Sequence, residues 1–246
     1  MKISIVTCTW NSFEYISESI DSVIKQNFKD YEIVFVDGGS TDGTLDKIDA
    51  VCHPKKVLHN IRGGIAKAMN AGIEAADGDI VAHMHSDDYY LDADVFSRVV
   101  EHFDRTGCKW LFGRILSDVG GNLQKEAYTI PRYSYDTLLK RNIVPHAATF
   151  VRRDVFQELG GFSETYRLAM DYEMWLRVGK KYDPVQLDEY LAAFRRHPGS
   201  ATEANRVRSF NEDFRARFQY SPLTRWPEFA LRYGVRRYRL MRELAA

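Results

Sequence analysis

Three short apolar runs, ISIVT at 3–7, EIVFV at 32–36 and IVAHM at 80–84, alternate with segments of helical period, and that alternation leaves few architectures open. Runs that stay apolar at successive positions read as strands buried on both faces, the habit of parallel sheets covered by crossover helices. Between the first two runs, Phe13, Ile16, Ile20, Val23 and Ile24 recur at helical spacing behind Asn11 and Ser12, which suit a helix start. A second crossover follows Asp37 through the glycine-rich turn at 38–43, and a third begins at Gly63 and Gly64 and runs as a helix through Met69, Ile73 and Ala76. Further on, 109–117 reads as a strand, 118–122 as a turn, 134–141 as a short helix and 150–152 as a strand. A helix through Val155, Phe156 and Leu159 then stops at Gly160 and Gly161. The fold class is therefore α/β, a mostly parallel sheet flanked by helices over residues 1–202, with a basic helical extension over 203–246.

Apolar residues at 45% and charged residues at 28% exclude a disordered or fibrous chain. The opening MKISIVTCTW has neither the apolar length nor the cleavage site of a signal peptide, and no window approaches the roughly 18 apolar residues of a membrane span. The expectation is a cytoplasmic protein, peripheral at most on the inner face of the membrane. Cys8, Cys52 and Cys108 read as reduced thiols, and Cys52, His53 and His59 lack the second ligand pair of a zinc site. The net charge of zero hides an asymmetry, because residues 203–246 carry ten arginines against five acidic residues.

The polar turns near Thr9, Asp37 and Asp87 all fall at the carboxyl edge of the strands, where α/β sheets bind ligands. Ser86, Asp87 and Asp88 place two adjacent carboxylates there, and a Mg2+ or Mn2+ ion relieves their repulsion while leaving positions for phosphate oxygens. The competing reading is a cap, with Asp88 or Asp92 starting the helix at Val95. Asp37 suits a nucleoside base or ribose. The preceding turn, TCTWN at 7–11, has no glycine, which disfavours a nicotinamide enzyme. Asp171 stands in the first turn of a helix over 169–177, an ordinary place for an acid and, beside a metal site, a candidate general base. His83 and His85 have strand spacing and read as packed or hydrogen-bonded rather than metal-bound.

In order, VTCTWN, VDGGSTDGT, GIAKAMNAGI, HSDD, FVRRDVFQELGGF, MDYEMWLR and FRRHPGS resemble the family-2 glycosyltransferases, inverting enzymes of GT-A fold, over roughly residues 3–200. The resemblance implies that Asp37 is the nucleoside-binding acid and that Thr7 and Thr9 lie in the first nucleotide-contacting loop. It further implies that Asp87 and Asp88 form the metal motif, with Asp88 the direct ligand of Mn2+ or Mg2+. Asp171 matches the catalytic base, with Glu173 the neighbour able to replace it. Arg195 and His197 lie in a stretch resembling the family's late loop, which can fold toward the diphosphate, and His197 reads either as a phosphate contact or as simple turn chemistry. The chain departs from the family pattern at Arg62 and Lys67, where relatives often carry acids, at His85 for Asn, and at Met170 for an acid. Arg62 reads equally as a phosphate contact or a surface residue.

The implied partners are a nucleoside-diphosphate sugar donor and a saccharide or lipid-linked saccharide acceptor, in bacterial cell-surface polysaccharide or glycolipid synthesis. No nucleic acid is expected, and a homo-oligomer is left open. A sugar-nucleotide pyrophosphorylase is the enzymatic alternative, but its glycine-rich basic turn is missing. An inactive carbohydrate-binding scaffold is disfavoured by the retained Asp37, Asp88 and Asp171. In the extension, Trp226, Phe229, Tyr233, Leu240 and Leu244 form a stripe flanked by Arg232, Arg236, Arg239 and Arg242. It is expected either to rest on an anionic membrane surface or to pack on protein.

Overall fold

The computed structural model describes residues 1–125, 130–197, 199 and 205–245. Its centre is the expected parallel unit: β1 (Ile3–Thr9) lies between β2 (Tyr31–Asp37) and β4 (Ile80–His83), with β3 (Lys55–Leu58) outside β2. The sheet continues from β4 through antiparallel β8 (Thr149–Arg152) to β6 (Trp110–Val119), then to β9 (Val185–Arg196), parallel to β6. Antiparallel β5 (Tyr89–Tyr90) closes that end and β7 (Asn122–Lys125) hairpins back on β6. Among the described residues nine strands, six of them running one way, make the mixed, mostly parallel sheet that the apolar runs predict.

Helices cover both faces. α1 (Ile16–Ile24), α2 (Thr44–Asp49) and α4 (Val95–Thr106) bury Ile20, Val23, Ile48, Phe96 and Phe103 on one side. On the other lie α3 (Ile65–Ala75), α5 (Tyr135–Lys140), α6 (Arg153–Leu159) and α7 (Met170–Gly179), where Trp110 and Trp175 stack at 5.8 Å. α3 comes unusually close to the sheet at Gly72, where an added Cβ would stand 2.2 Å from a Val6 methyl. A second tie joins two of the sequence motifs. Asn70 of α3 bonds both the N–H and the C=O of Phe162, at 2.7 and 2.9 Å, in space that a Cβ on Gly161 would occupy.

The structure corrects several boundaries. α1 starts at Ile16, not at Asn11, because Asn11 takes a positive φ of 49° and its side chain bonds the 40–44 turn instead. Phe13 is therefore outside the helix and exposed, with Lys47 Nζ 3.7 Å above its ring. The turn at 118–122 shrinks to Gly120 and Gly121. Asp94, not Asp88 or Asp92, stands at the cap position of α4.

The extension forms α8 (Arg206–Tyr220) and α9 (Trp226–Ala245), and α8 packs along α7. The expected stripe is largely covered by α8: Phe229 is fully buried, Tyr233 stacks on Phe210 at 5.3 Å, and Trp226 meets Phe218 edge-on at 5.7 Å. Phe229 and Tyr233 of that stripe pack on protein, while Trp226 stays 44% exposed. A different face of α9, with Leu231, Val235, Tyr238 and Met241, is exposed. Pro198, the junction at 202/203 and the side chain of Leu244 lie outside the described residues.

Candidate active site

Asp37 ends β2 with only 1% of its surface exposed. One carboxylate oxygen accepts from the Thr9 and Ser40 hydroxyls at 3.0 and 2.5 Å, the other from the Gly39 and Ser40 amides at 2.7 and 2.9 Å. Burial pushes the carboxyl up, but these donors outweigh it and hold the group below the usual range. Asp37 thus shapes a turn in which Gly39 takes a φ of +97°, a conformation that suits glycine. The β1 loop is laced to the same turn: Asn11 N–H donates to Ser40 Oγ, Ser12 N–H to Thr44 Oγ1 and Phe13 N–H to Asp42, at 2.8, 2.8 and 3.0 Å. Trp10 rises from this loop 70% exposed beside Gly38. Thr7 and Thr9 are buried strand residues rather than loop residues, and Thr9 reaches the site through Asp37. Arg62 is exposed, its guanidinium against Gly39 at the rim of the turn.

The Ser86 hydroxyl joins the loop after β4 to the first loop through Ser12, at 2.8 Å. Asp88 is buried, and its Oδ1 accepts the Arg195 N–H at 3.0 Å, so it faces the end of β9 rather than capping α4. Burial, then the adjacent Asp87 charge, raise its carboxyl well above the ordinary value. Asp87 bonds His197 Nε2 at 2.9 Å, and the His197 ring leans on Tyr15 at 4.7 Å. Arg195 lies between Tyr15 and Tyr89 at 4.9 and 5.2 Å and pairs with Glu18 and Asp118. Two neighbouring carboxylates, one of them costly to ionise where it stands, suit a hard divalent cation. Among the described residues no three His, Cys, Asp or Glu side chains converge as a metal cage. The donor set therefore fits an ion held by one or two carboxylates with diphosphate and water completing its shell, as Mg2+ and Mn2+ accept.

Asp171, in the first turn of α7, is pushed up to about 6, chiefly by burial and against the Tyr172 N–H and Asn142. Asn142 Nδ2 approaches its Oδ2 at 3.4 Å. Glu173, the proposed substitute, is turned away: it is buried, pairs with Arg177 at 2.8 and 3.0 Å, and accepts the Tyr220 hydroxyl. His146 bridges the His85–Asp88 loop and this helix. Its ring stacks on His85 at 4.8 Å and leans on Trp175, one turn beyond Asp171, at 5.9 Å. Burial holds His85 low, His83 at about 3 and His146 well below the usual imidazole value, so all three are neutral near pH 7. As expected, His83 is packed, edge-on to Phe162 at 5.0 Å.

The edge that gathers Asp37, Asp87 and Asp88 lies within residues 4–160, which match the family model for glycosyl transferase family 2. The chain belongs to glycosyl transferase family 2. Its relatives include a chondroitin synthase of Pasteurella multocida, 30% identical over 184 residues that cover 72% of this chain and 19% of the synthase. The chain thus spans about a fifth of that relative's length. A PGL/p-HBAD biosynthesis glycosyltransferase of Mycobacterium tuberculosis is 31% identical over 180 residues, covering 71% of this chain and 68% of the relative. Among solved structures, S. aureus TarS 1–349 in complex with UDP-GlcNAc superposes with a TM-score of 0.73 at 20% identity, over 88% of this chain and 65% of that one. The mannosyltransferase PcManGT from Pyrobaculum calidifontis, in complex with GDP-Man and Mn2+, gives 0.69 at 18% identity, over 94% and 69%. At these identities the likeness speaks to the fold, which is GT-A. Family membership sets the pyrophosphorylase alternative aside.

Sequence reasoning missed four residues that the fold sets around this site: His146 against His85 and Trp175, the exposed Trp10 beside Gly38, and on α8 Glu212, which accepts the Ala169 N–H, and Asp213, which feels the Asp171 charge. Trp10 alone carried a local signal, a large aromatic in a polar turn. The others act through contacts between residues far apart in the chain.

Proposed function

We propose that this family-2 glycosyltransferase moves a sugar from a nucleoside diphosphate to an acceptor hydroxyl in one inverting displacement. The observation that carries the reading is Asp171, a half-buried carboxylate raised to about 6 on the helix that His146 couples to the Asp87 and Asp88 loop. A base with that affinity is still ionised at pH 7 yet takes a proton more readily than an ordinary aspartate. Asp171 accepts the acceptor's hydroxyl proton as that oxygen bonds the anomeric carbon, and the bond from that carbon to the diphosphate oxygen breaks with its electron pair leaving on the diphosphate. The Asp37 turn receives the nucleoside and Trp10 offers a face to its base. Arg62 and His197 lie at the rim where phosphates would pass. Asp88, with Asp87, would hold Mn2+ or Mg2+, which when bound neutralises charge on the departing diphosphate.

A saccharide or lipid-linked saccharide is the acceptor we infer, a reading supported by relatives named as a chondroitin synthase and a PGL/p-HBAD biosynthesis glycosyltransferase. Three free cysteines fit the cytoplasmic side, and no described helix is long and apolar enough to cross a membrane. We further infer that the exposed face of α9 rests on an anionic bilayer. Leu231, Val235, Tyr238 and Met241 form its apolar part, with Arg239 and Arg242 alongside. Lipid phosphates complement those arginines, whereas a second copy would bring like charges together.

A thermal-shift screen of UDP, GDP, CDP and TDP with and without Mn2+ tests the function. At a hundredfold excess over Kd a ligand adds about 2.7 kcal/mol, several degrees in Tm. One nucleotide is expected to raise Tm only with the metal, and the gain is expected to vanish in Asp88→Asn. No response to any nucleotide with Mn2+ would overturn the reading.

A further inference from the structure

Glu212, in the middle of α8, is 8% exposed, and a single oxygen of its carboxylate accepts three successive backbone N–H groups. These belong to Arg167, Leu168 and Ala169, at 2.8, 2.8 and 3.2 Å, while the other oxygen takes Arg208 Nε at 3.1 Å. Burial pushes this carboxyl up, but the three amides and Arg208 prevail and hold it below the usual range. The three amides lie immediately before Met170, the first residue of α7, and have no carbonyl one turn back within that helix to serve them. Glu212 takes the place of those missing partners from another element.

The rest of α8 holds the same segment. Arg215 donates to the Thr165 carbonyl at 2.7 Å, Gln219 accepts the Tyr166 hydroxyl at 2.8 Å, and buried Arg217 meets the Tyr172 hydroxyl at 3.2 Å. Asp213, beside Glu212, is itself raised to about 6, by burial first and then partly by the Asp171 charge. One helix thus grips residues 165–173 on both sides of Asp171.

We propose that Glu212 is a positioning residue, its carboxylate fixing the entry to α7 and so the direction in which Asp171 presents its oxygens. This rests on Asp171 being the base. It makes α8 part of the catalytic apparatus rather than a detachable extension. A carboxylate displaced by about an ångström loses on the order of a hundredfold in rate with no change in what the donor touches.

Steady-state kinetics of the full chain with the donor found by the screen tests this on Glu212→Ala, Glu212→Gln and Asp171→Asn in parallel. Glu212→Ala is expected to lower kcat by about 10- to 100-fold with donor KM within twofold. Its acid limb in kcat should move from near pH 6 toward the ordinary aspartate value, because water then reaches Asp171, whose charged and polar neighbours are Asn142 and Asp213, the latter paired with Arg217. Glu212→Gln, which keeps an acceptor oxygen, should lose several-fold and carries the test where the alanine variant fails to fold. Unchanged kcat and pH limb in the folded variants, whatever their Tm, overturn the positioning role while a dead Asp171→Asn leaves the base standing. Native activity in Asp171→Asn overturns both.

Discussion

Asp171 is held in a place that favours its protonated form, and that has a consequence for stability as well as for rate. Its carboxyl, like that of Asp213, lies near 6 in the folded protein against an ordinary 3.8, so the folded state binds more protons between those values. Stability from these groups is full below about pH 4 and declines as pH rises toward 6. Asp171→Asn removes a half-buried, poorly solvated charge and, after allowance for solvent screening, is expected to stabilise the protein by about 1 kcal/mol at pH 7, with little effect below pH 4. Urea titrations at both pH values check this, and a destabilised variant at pH 7 would contradict it. The acids themselves were legible because each sits in a short motif at a strand or helix end. What each one faces was not. Glu173 looks as available as Asp171 in the sequence, and only the fold shows Arg177 and Tyr220 occupying it.

At the scale of elements, β1, β2 and β4 could be read directly because both their faces are buried and their apolar runs are unbroken. β3 and β5 could not. KKVL is half-buried at the sheet edge, and Tyr89 and Tyr90 become a strand only by pairing with Ala193 and Ala192. The start of α1 was misread because Asn11 and Ser12 serve the neighbouring turn, a long-range use of residues that locally resemble caps. α3 yields a sharper test. Gly72→Ala would drive a methyl into Val6 and is expected to cost about 1–3 kcal/mol. Val6→Ala in the same chain should recover part of that loss, because the two side chains share one space. Additive losses in thermal unfolding would contradict the close approach.

For the whole molecule, helical period revealed that the extension has apolar faces but not what covers them. α8 consumes Phe229 and Tyr233 and leaves Leu231 and Tyr238 to solvent. The full chain is therefore expected to sediment with phosphatidylglycerol-containing vesicles at low salt but not with phosphatidylcholine alone. Leu231→Glu with Tyr238→Glu should abolish this. A protein that ignores the anionic vesicles, or that instead dimerises through that face, would contradict a bilayer there. Catalysis admits a more direct measurement: nucleoside diphosphate release from the matching sugar nucleotide, by the native chain and Asp171→Asn, across pH 5–8 with Mn2+ or EDTA. The native protein is expected to turn over only with the metal and to lose about tenfold in rate per unit below pH 6. Asp171→Asn should be inactive while retaining its Mn2+-dependent thermal shift. Turnover by Asp171→Asn at the native rate, or native turnover that persists in EDTA, would contradict a metal-assisted displacement with Asp171 as its base.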